Sequence, residues 1–193
     1  MSGTFAKISP YLPKNMDTEL KSRYRELCDY LDERIEFNHV ESEIHTKLHT
    51  ARVLLYALLL AERILPNDVK AKKILAHASL FHDTRRIDDG LDTGHGARAA
   101  IHYKVYCDKN GIAYHTASTV IIKYHDLDDE LGITAMAKMT NSEYVKTLYA
   151  IFKDADALDR YRLGSSGLDP KFLRYQESIN MMTFAEFLVD ATS

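Results

Sequence analysis

Histidines that stand near aspartates at predicted helix ends are the most informative chemical feature of this sequence. The chain has nine histidines among 193 residues. Imidazole and carboxylate together suit divalent cations such as Mn, Fe, Ni, Co, Zn or Mg. A helical bundle can bring such side chains from separate helices together in its interior. The candidate ligands are His49, His82, Asp83, His95, His125 and Asp156.

The local sequence around three of these positions predicts that they are buried. His49 begins the apolar stretch HTARVLLYALLLA, His82-Asp83 ends ILAHASLFHD, and Asp156 follows apolar residues in YAIFKDADAL. An isolated carboxylate in such surroundings would lose its hydration at a large cost in free energy. Because a bound cation would remove this cost, we expect a metal site. Asp154 could be the ligand instead, but the register of the ADAL segment favours Asp156.

The order and context of these residues resemble the H…HD…D signature of the HD-domain superfamily. The matching segments are His49 followed by Arg52-Val53, the doublet His82-Asp83, and Ala155-Asp156-Ala157-Leu158. The resemblance covers about residues 43–160, and it implies an all-α fold, a single HD-type helical bundle over 1–193 with a metal site in its interior. It also implies metal-dependent hydrolysis of phosphoric esters, with metal ligands His49, His82, Asp83 and Asp156. The alternative is that these are separate capping or core residues.

Two further histidines lie between the HD doublet and the last aspartate. His95 and His125 have the order that resembles the two-metal members of the superfamily, namely the HD-GYP phosphodiesterases and the mixed-valent diiron oxygenases. This resemblance implies a second metal, with Asp83 bridging the pair. Alternatively, His95 is a helix N-terminal residue without a metal. His125 could equally be a C-terminal histidine that the helix dipole favours.

Four basic residues near the candidate ligands could contact a phosphate. Arg85 and Arg86 directly follow the HD doublet, and a guanidinium suits bidentate phosphate contact. We therefore assign them, with Asp83, to the catalytic set. Lys123 and Arg160 flank other candidate ligands. Each of the four could instead be a solvated charge at a helix end.

The elements that must position these residues are predicted to be helices. Apolar residues recur with helical spacing, and alternating β-branched runs between hairpin turns are nearly absent. The segment 126–141 is predicted to be mostly loop. The predicted helices cover about residues 17–37, 43–64, 68–83, 94–109, 114–124, 142–158 and, as a final helix or broken helix, 169–189.

Composition restricts the setting of this domain. The formal net charge of −3 gives no strong signal for nucleic-acid binding. The longest apolar run, Val53–Ala61, is too short to cross a bilayer. Cys28 and Cys107 lack metal-binding or redox spacing, and the first residues lack the regions of a signal peptide. We expect a cytoplasmic protein without membrane association, and a homo-oligomer is compatible with these features.

The expected function is hydrolysis of a small phosphate ester or nucleotide by metal-activated water, with one or two divalent cations per chain. Arg85-Arg86 occupy the stretch where the ppGpp hydrolases have an acidic pair, which argues against that substrate. A GYP-like tripeptide is absent, so cyclic-di-GMP hydrolysis is not supported. The alternatives are a mixed-valent diiron oxygenase and a metal-stabilised binding module without enzymatic activity.

Overall fold

The computed structural model describes residues 3–192, which form helices and turns without any strand. This confirms the predicted all-α class. Three short 3-10 turns cover Ser9–Tyr11, Asp159–Leu163 and Pro170–Phe172. The α-helices are α1 (Thr4–Ile8), α2 (Thr18–Arg34), α3 (Lys47–Ile64), α4 (Val69–Phe81), α5 (His95–Asn110), α6 (Thr116–Tyr124), α7 (Asp129–Met136), α8 (Ser142–Leu158), α9 (Gln176–Ile179) and α10 (Met182–Thr192).

One predicted helix boundary and one predicted loop were wrong, and local interactions account for both differences. Helix α3 begins at Lys47 rather than near residue 43, because Thr46 has extended backbone and its side chain accepts a hydrogen bond from His49 N. The segment 126–141, predicted to be mostly loop, contains α7. Asp129 and Glu130 lie in the first turn of α7, where carboxylates interact favourably with the helix dipole.

Helix α3 is the centre of the bundle. Every residue from His49 to Ala61 is buried, as the apolar stretch in its sequence predicts. It packs against α2, α4 and α8, and Tyr24 donates a hydrogen bond from its hydroxyl to the Ala51 carbonyl oxygen over 3.0 Å. Burial of each large apolar side chain stabilises the fold by about 1.5–3 kcal/mol.

No helix formed by residues 3–192 is long and apolar enough to cross a membrane.

A glycine allows the start of α5 to lie against the end of α6. A Cβ atom on Gly96 would lie 2.5 Å from the Ile122 carbonyl oxygen and 2.6 Å from Asp126 Oδ1. Only a residue without a side chain fits this approach. Asp126 Oδ2 accepts a hydrogen bond from Gly94 N over 2.7 Å, which ties the two helix ends together.

Five helix ends contribute candidate ligands to the same region of the bundle. The N-terminal turns of α3 and α5 supply His49 and His95, and the residues that follow α4 and α6 supply His82 and His125. Asp156 lies in the last turn of α8. The fold therefore gathers side chains that are far apart in the sequence.

Candidate metal centre

The first group of candidate ligands lies between α3, α4 and α8. His49 Nε2 is 3.2 Å from His82 Nε2 and 3.6 Å from Asp156 Oδ1. Asp83 Oδ2 lies 3.3 Å from His49 Nε2 and 3.5 Å from His82 Nε2. These nitrogen and oxygen atoms are close enough to share one cation.

The second group lies beside the first, where α5 meets α6. His95 Nε2 is 2.9 Å from His125 Nε2. Asp83 Oδ1 lies 3.1 Å from His95 Nε2 and 3.6 Å from His125 Nε2. Asp83 therefore turns one carboxylate oxygen to each group. A carboxylate in this position could contact a cation in either group.

Hydrogen bonds assign the same tautomer to the four histidines. His49 Nδ1 donates to Asp159 Oδ2 over 2.7 Å. The other three donate from Nδ1 to backbone carbonyl oxygens, each over 2.7 Å. His82 donates to Ser79, His95 to Asp92 and His125 to Ile122. The Nε2 atoms then carry the lone pairs. Metal-binding histidines typically have such a partner on their other nitrogen.

The contacts between the Nε2 atoms test whether a cation fits. When the four imidazoles are neutral and protonated at Nδ1, two Nε2 lone pairs face each other in each group, at 3.2 Å and 2.9 Å, and repel. A divalent cation between them turns this repulsion into coordination. Buried His/Asp clusters of this composition could hold a metal ion, and the donor set of imidazole and carboxylate leaves its identity open.

Burial and the neighbouring side chains shift the pKa values of four candidate ligands. Burial alone would lower the pKa of His125, but its hydrogen bond and charge interaction with Asp83 raise it. Burial lowers the pKa of His82 to about 4, which leaves it neutral at pH 7. Burial opposes ionisation of Asp156, but its electrostatic interactions with the protonated forms of His82 and His49 outweigh burial and lower its pKa to about 2. For Asp83 the cluster histidines also outweigh burial, and its pKa lies well below the usual value.

Asp159 holds His49 of the first group in position, and the sequence did not predict this role. Besides accepting from His49, its carboxylate accepts from Arg52 Nε over 2.6 Å and from Arg52 Nη2 over 3.0 Å. Asp159 is fully buried, and Arg52 balances its charge. Helical spacing could have indicated this network, because Arg52 lies three residues after His49 and Asp159 three residues after Asp156.

The structure distinguishes Asp156 from Asp154. Asp154 turns to the other side of α8, where both its oxygens accept from Arg174 N, at 3.0 and 2.9 Å. Its Oδ1 also accepts from Arg174 Nη1 over 3.0 Å, and its Oδ2 from Tyr175 N over 3.0 Å. Asp154 therefore fixes the chain after α8, whereas Asp156 faces His49 and His82.

Of the four predicted phosphate contacts, the structure brings only Arg86 and Arg160 towards the cluster. Arg86 Nη1 lies 3.6 Å from Asp83 Oδ1. Arg160 lines a cavity that Asp156 and His125 also line.

The predicted roles of Arg85 and Lys123 need correction. The Arg85 guanidinium donates to the carbonyl oxygens of Glu36 and Thr84, at 3.1 and 2.8 Å, and turns away from the cluster. Lys123 is exposed, and its Nζ lies 5.2 Å from the centroid of the Tyr124 ring. The contacts of Arg85 with the backbone therefore separate it from Arg86, which lies beside Asp83.

A cavity of about 1040 Å³ opens beside the first group. Asp156 is the most exposed of the six candidate ligands, with 29% of its side chain accessible. Lys153, Arg160 and Phe172 are among the other residues that line the cavity. A small molecule could therefore approach the cluster from the Asp156 side.

No family model, curated protein or solved structure matches the chain. The interpretation of this centre therefore depends on its own geometry.

Proposed function

We propose that the chain is a metal-dependent phosphohydrolase of the HD type that acts on a small phosphate ester. The observation that carries this proposal is the bridging position of Asp83 between two His-containing groups. Two adjacent cations held in this way form a centre suited to hydrolysis of phosphate esters.

The protein would bind and orient the reactants through groups that are already in place. When bound, a divalent cation lowers the pKa of its water towards about 7 and polarises a phosphoryl oxygen. Asp83 and Asp156 supply negative charge that balances the cations. Arg86 keeps a positive charge beside the second group, where it can stabilise negative charge that develops on the phosphoryl oxygens.

Release of inorganic phosphate tests this proposal. The chain, reconstituted with Mn²⁺, is incubated with a panel of phosphomonoesters and phosphodiesters, and phosphate or alcohol release is measured. We expect turnover by the wild type and its loss in His82→Gln. His77→Gln is the matched control, because His77 lies on the same helix but belongs to neither group. Absence of turnover with every ester and with Mn²⁺, Co²⁺, Ni²⁺ and Fe²⁺ would refute the proposal.

The second group supports one other candidate function. The diiron oxygenases that the sequence resembles need both His95 and His125, and these two residues join Asp83 in one group. Anaerobic loading with Fe²⁺ followed by oxygen-electrode measurements separates the two functions. Substrate-dependent oxygen consumption without phosphate release would favour the oxygenase, and phosphate release without oxygen consumption would favour the hydrolase.

A further inference from the structure

One wall of the cavity is formed by the chain that follows α8. Helix α8 ends at Leu158 and continues directly into the 3-10 turn Asp159–Leu163. Arg160 therefore comes four residues after Asp156 on nearly continuous helical backbone. Residues with this spacing lie on the same face, about 5–6 Å apart at Cβ. Arg160 consequently stands beside the most exposed candidate metal ligand.

Arg160 is also the cation in this wall whose charge is least used by the protein. Lys153 Nζ lies 3.3 Å from Asp129 Oδ1, and Arg174 pairs with Asp129 and Asp154. Arg160 makes no ion pair with a carboxylate of residues 3–192, and its Nε donates to the Gly167 carbonyl oxygen over 2.8 Å. Its remaining guanidinium donors are therefore available to an anion in the cavity.

Phe172 supplies an aromatic surface in the same wall. Its side chain is 61% exposed although it is large and apolar, and it lines the cavity with Arg160. Exposed aromatic residues in a cavity are typical of ligand contact, since a planar group can stack on the ring.

The backbone that carries these two side chains is fixed at both ends. A Cβ on Gly167 would collide with the Arg160 carbonyl oxygen, so the glycine permits close packing of the turn. At the other end, Asp154 accepts from Arg174 N and Arg174 Nη1. Arg160 and Phe172 are thus presented by a preorganised segment, which limits the entropy lost when a ligand binds.

Unpaired carboxylates also line the cavity. Asp128 and Glu130 are exposed, and neither has an ion-pair partner among the described residues. They would repel additional phosphate groups of a polyphosphate chain. The cavity therefore suits a ligand with a single phosphate rather than a triphosphate.

We propose that Arg160 and Phe172 form the substrate-binding subsite of this centre, and that its substrates are phosphomonoesters with a planar aromatic ring. Arg160 binds the anionic part of the ester and Phe172 stacks on the ring. This inference rests on the proposed phosphohydrolase function, because the ester group must reach the cluster beside Asp156. A nucleobase and a simple aryl group share the required ring chemistry.

A matched pair of esters tests the subsite. Benzyl phosphate and cyclohexylmethyl phosphate differ in the aromaticity of a six-membered ring and have leaving groups of similar basicity. For the Mn²⁺-reconstituted wild type we expect kcat/KM to favour the benzyl ester by about tenfold, because aromatic stacking contributes on the order of this factor. Phe172→Leu should abolish the preference, and Phe187→Leu, which changes an exposed phenylalanine on α10, should retain it.

Arg160→Gln should lower kcat/KM for both esters by about tenfold, since it removes charge-assisted hydrogen bonds to the phosphate. The ratio of the two kcat/KM values should stay the same. Lys123→Gln, which removes an exposed cation outside the cavity lining, should leave both rates unchanged. Comparison of kcat/KM for a nucleoside 5′-monophosphate with that for benzyl phosphate then distinguishes a nucleobase from an aryl ring as the preferred group.

Calorimetric binding of benzylphosphonate, which cannot be hydrolysed at its P–C bond, separates this inference from the proposed function. Binding that Phe172→Leu weakens, without turnover of any ester, would support the subsite and refute the hydrolase. Turnover without an aromatic preference, or a preference that survives in Phe172→Leu, would overturn the subsite and leave the hydrolase intact. Neither binding nor turnover would overturn both.

Discussion

Replacement of Asp159 by asparagine should weaken metal binding although Asp159 is not itself a candidate ligand. Its carboxylate accepts the Nδ1–H of His49 at 2.7 Å and pairs with the buried Arg52 guanidinium. The asparagine side chain would keep the shape of the aspartate but remove its charge. Loss of such a partner typically weakens metal affinity about 10- to 100-fold, because the histidine becomes less basic and less firmly oriented.

The same substitution should destabilise the metal-free protein. The side chain of Arg52 is 5% exposed and that of Asp159 is fully buried, so Arg52 would lose the partner that balances its buried charge. Loss of one member of a buried ion pair costs about 3–5 kcal/mol. We expect about 3 kcal/mol for Asp159→Asn, because the amide oxygen can still accept one hydrogen bond.

Asp154→Asn is the matched control, since Asp154 is a buried aspartate of α8 that pairs with Arg174 instead. Urea unfolding of the metal-free proteins measures stability, and chelator competition measures metal affinity. Asp154→Asn should lose stability but keep its metal affinity. The reasoning would be refuted if Asp159→Asn bound metal as tightly as the wild type, or if both variants lost metal affinity equally.

Three further predictions concern the scaffold. Gly96→Ala places a Cβ atom 2.5 Å from the Ile122 carbonyl oxygen. We expect the free energy of unfolding, measured with urea, to fall by about 1–3 kcal/mol and the number of metal ions bound per chain to fall as well. An alanine variant as stable as the wild type would contradict this. Leu55→Ala in the fully buried α3 should cost about 2–5 kcal/mol, and a loss under about 1 kcal/mol would show that the site is not tightly packed. Burial, reinforced by the charges of His115 and Arg23, lowers the pKa of His77 to about 4, whereas in the unfolded chain it is about 6.5. As the pH falls, His77 is therefore protonated at a higher pH in the unfolded state than in the folded state. The free energy of unfolding falls as the pH falls from about 6.5 to about 4. After allowance for the partial exposure of His77, His77→Gln should reduce the loss of unfolding free energy between these pH values by about 1–2 kcal/mol. If the pH dependence of urea unfolding were the same in His77→Gln as in the wild type, the lowered pKa of His77 would be contradicted.

The candidate ligands were the most predictable part of the molecule. Their order along the chain and the apolar sequence around His49, His82 and Asp156 identified them before the fold was known. The structure brings all six candidates together in two groups and resolves the choice between Asp154 and Asp156. Helical periodicity likewise indicated the core helix α3, because nearly every residue in its centre is apolar.

What the sequence did not reveal depends on tertiary contacts. Asp159 looks like a charged residue at a helix end, and only the approach of α8 to α3 shows that it supports His49. Arg85 and Arg86 are adjacent and chemically identical, so only the turn after α4 decides which one faces the cluster. Helix α7 escaped prediction because its eight residues include Gly132, a poor helix former. A Cβ at this position would lie 3.0 Å from Tyr149 Cζ, so a larger residue would require the Tyr149 ring to shift.

The number of metal ions per chain tests the central claim most directly. The purified chain and the variants His95→Ala and Asp83→Ala are loaded with Mn²⁺ or, anaerobically, with Fe²⁺, desalted, and measured by elemental analysis. A centre bridged by Asp83 predicts about two equivalents in the wild type, about one in His95→Ala and little or none in Asp83→Ala. A folded wild-type chain that retains neither metal would contradict the account.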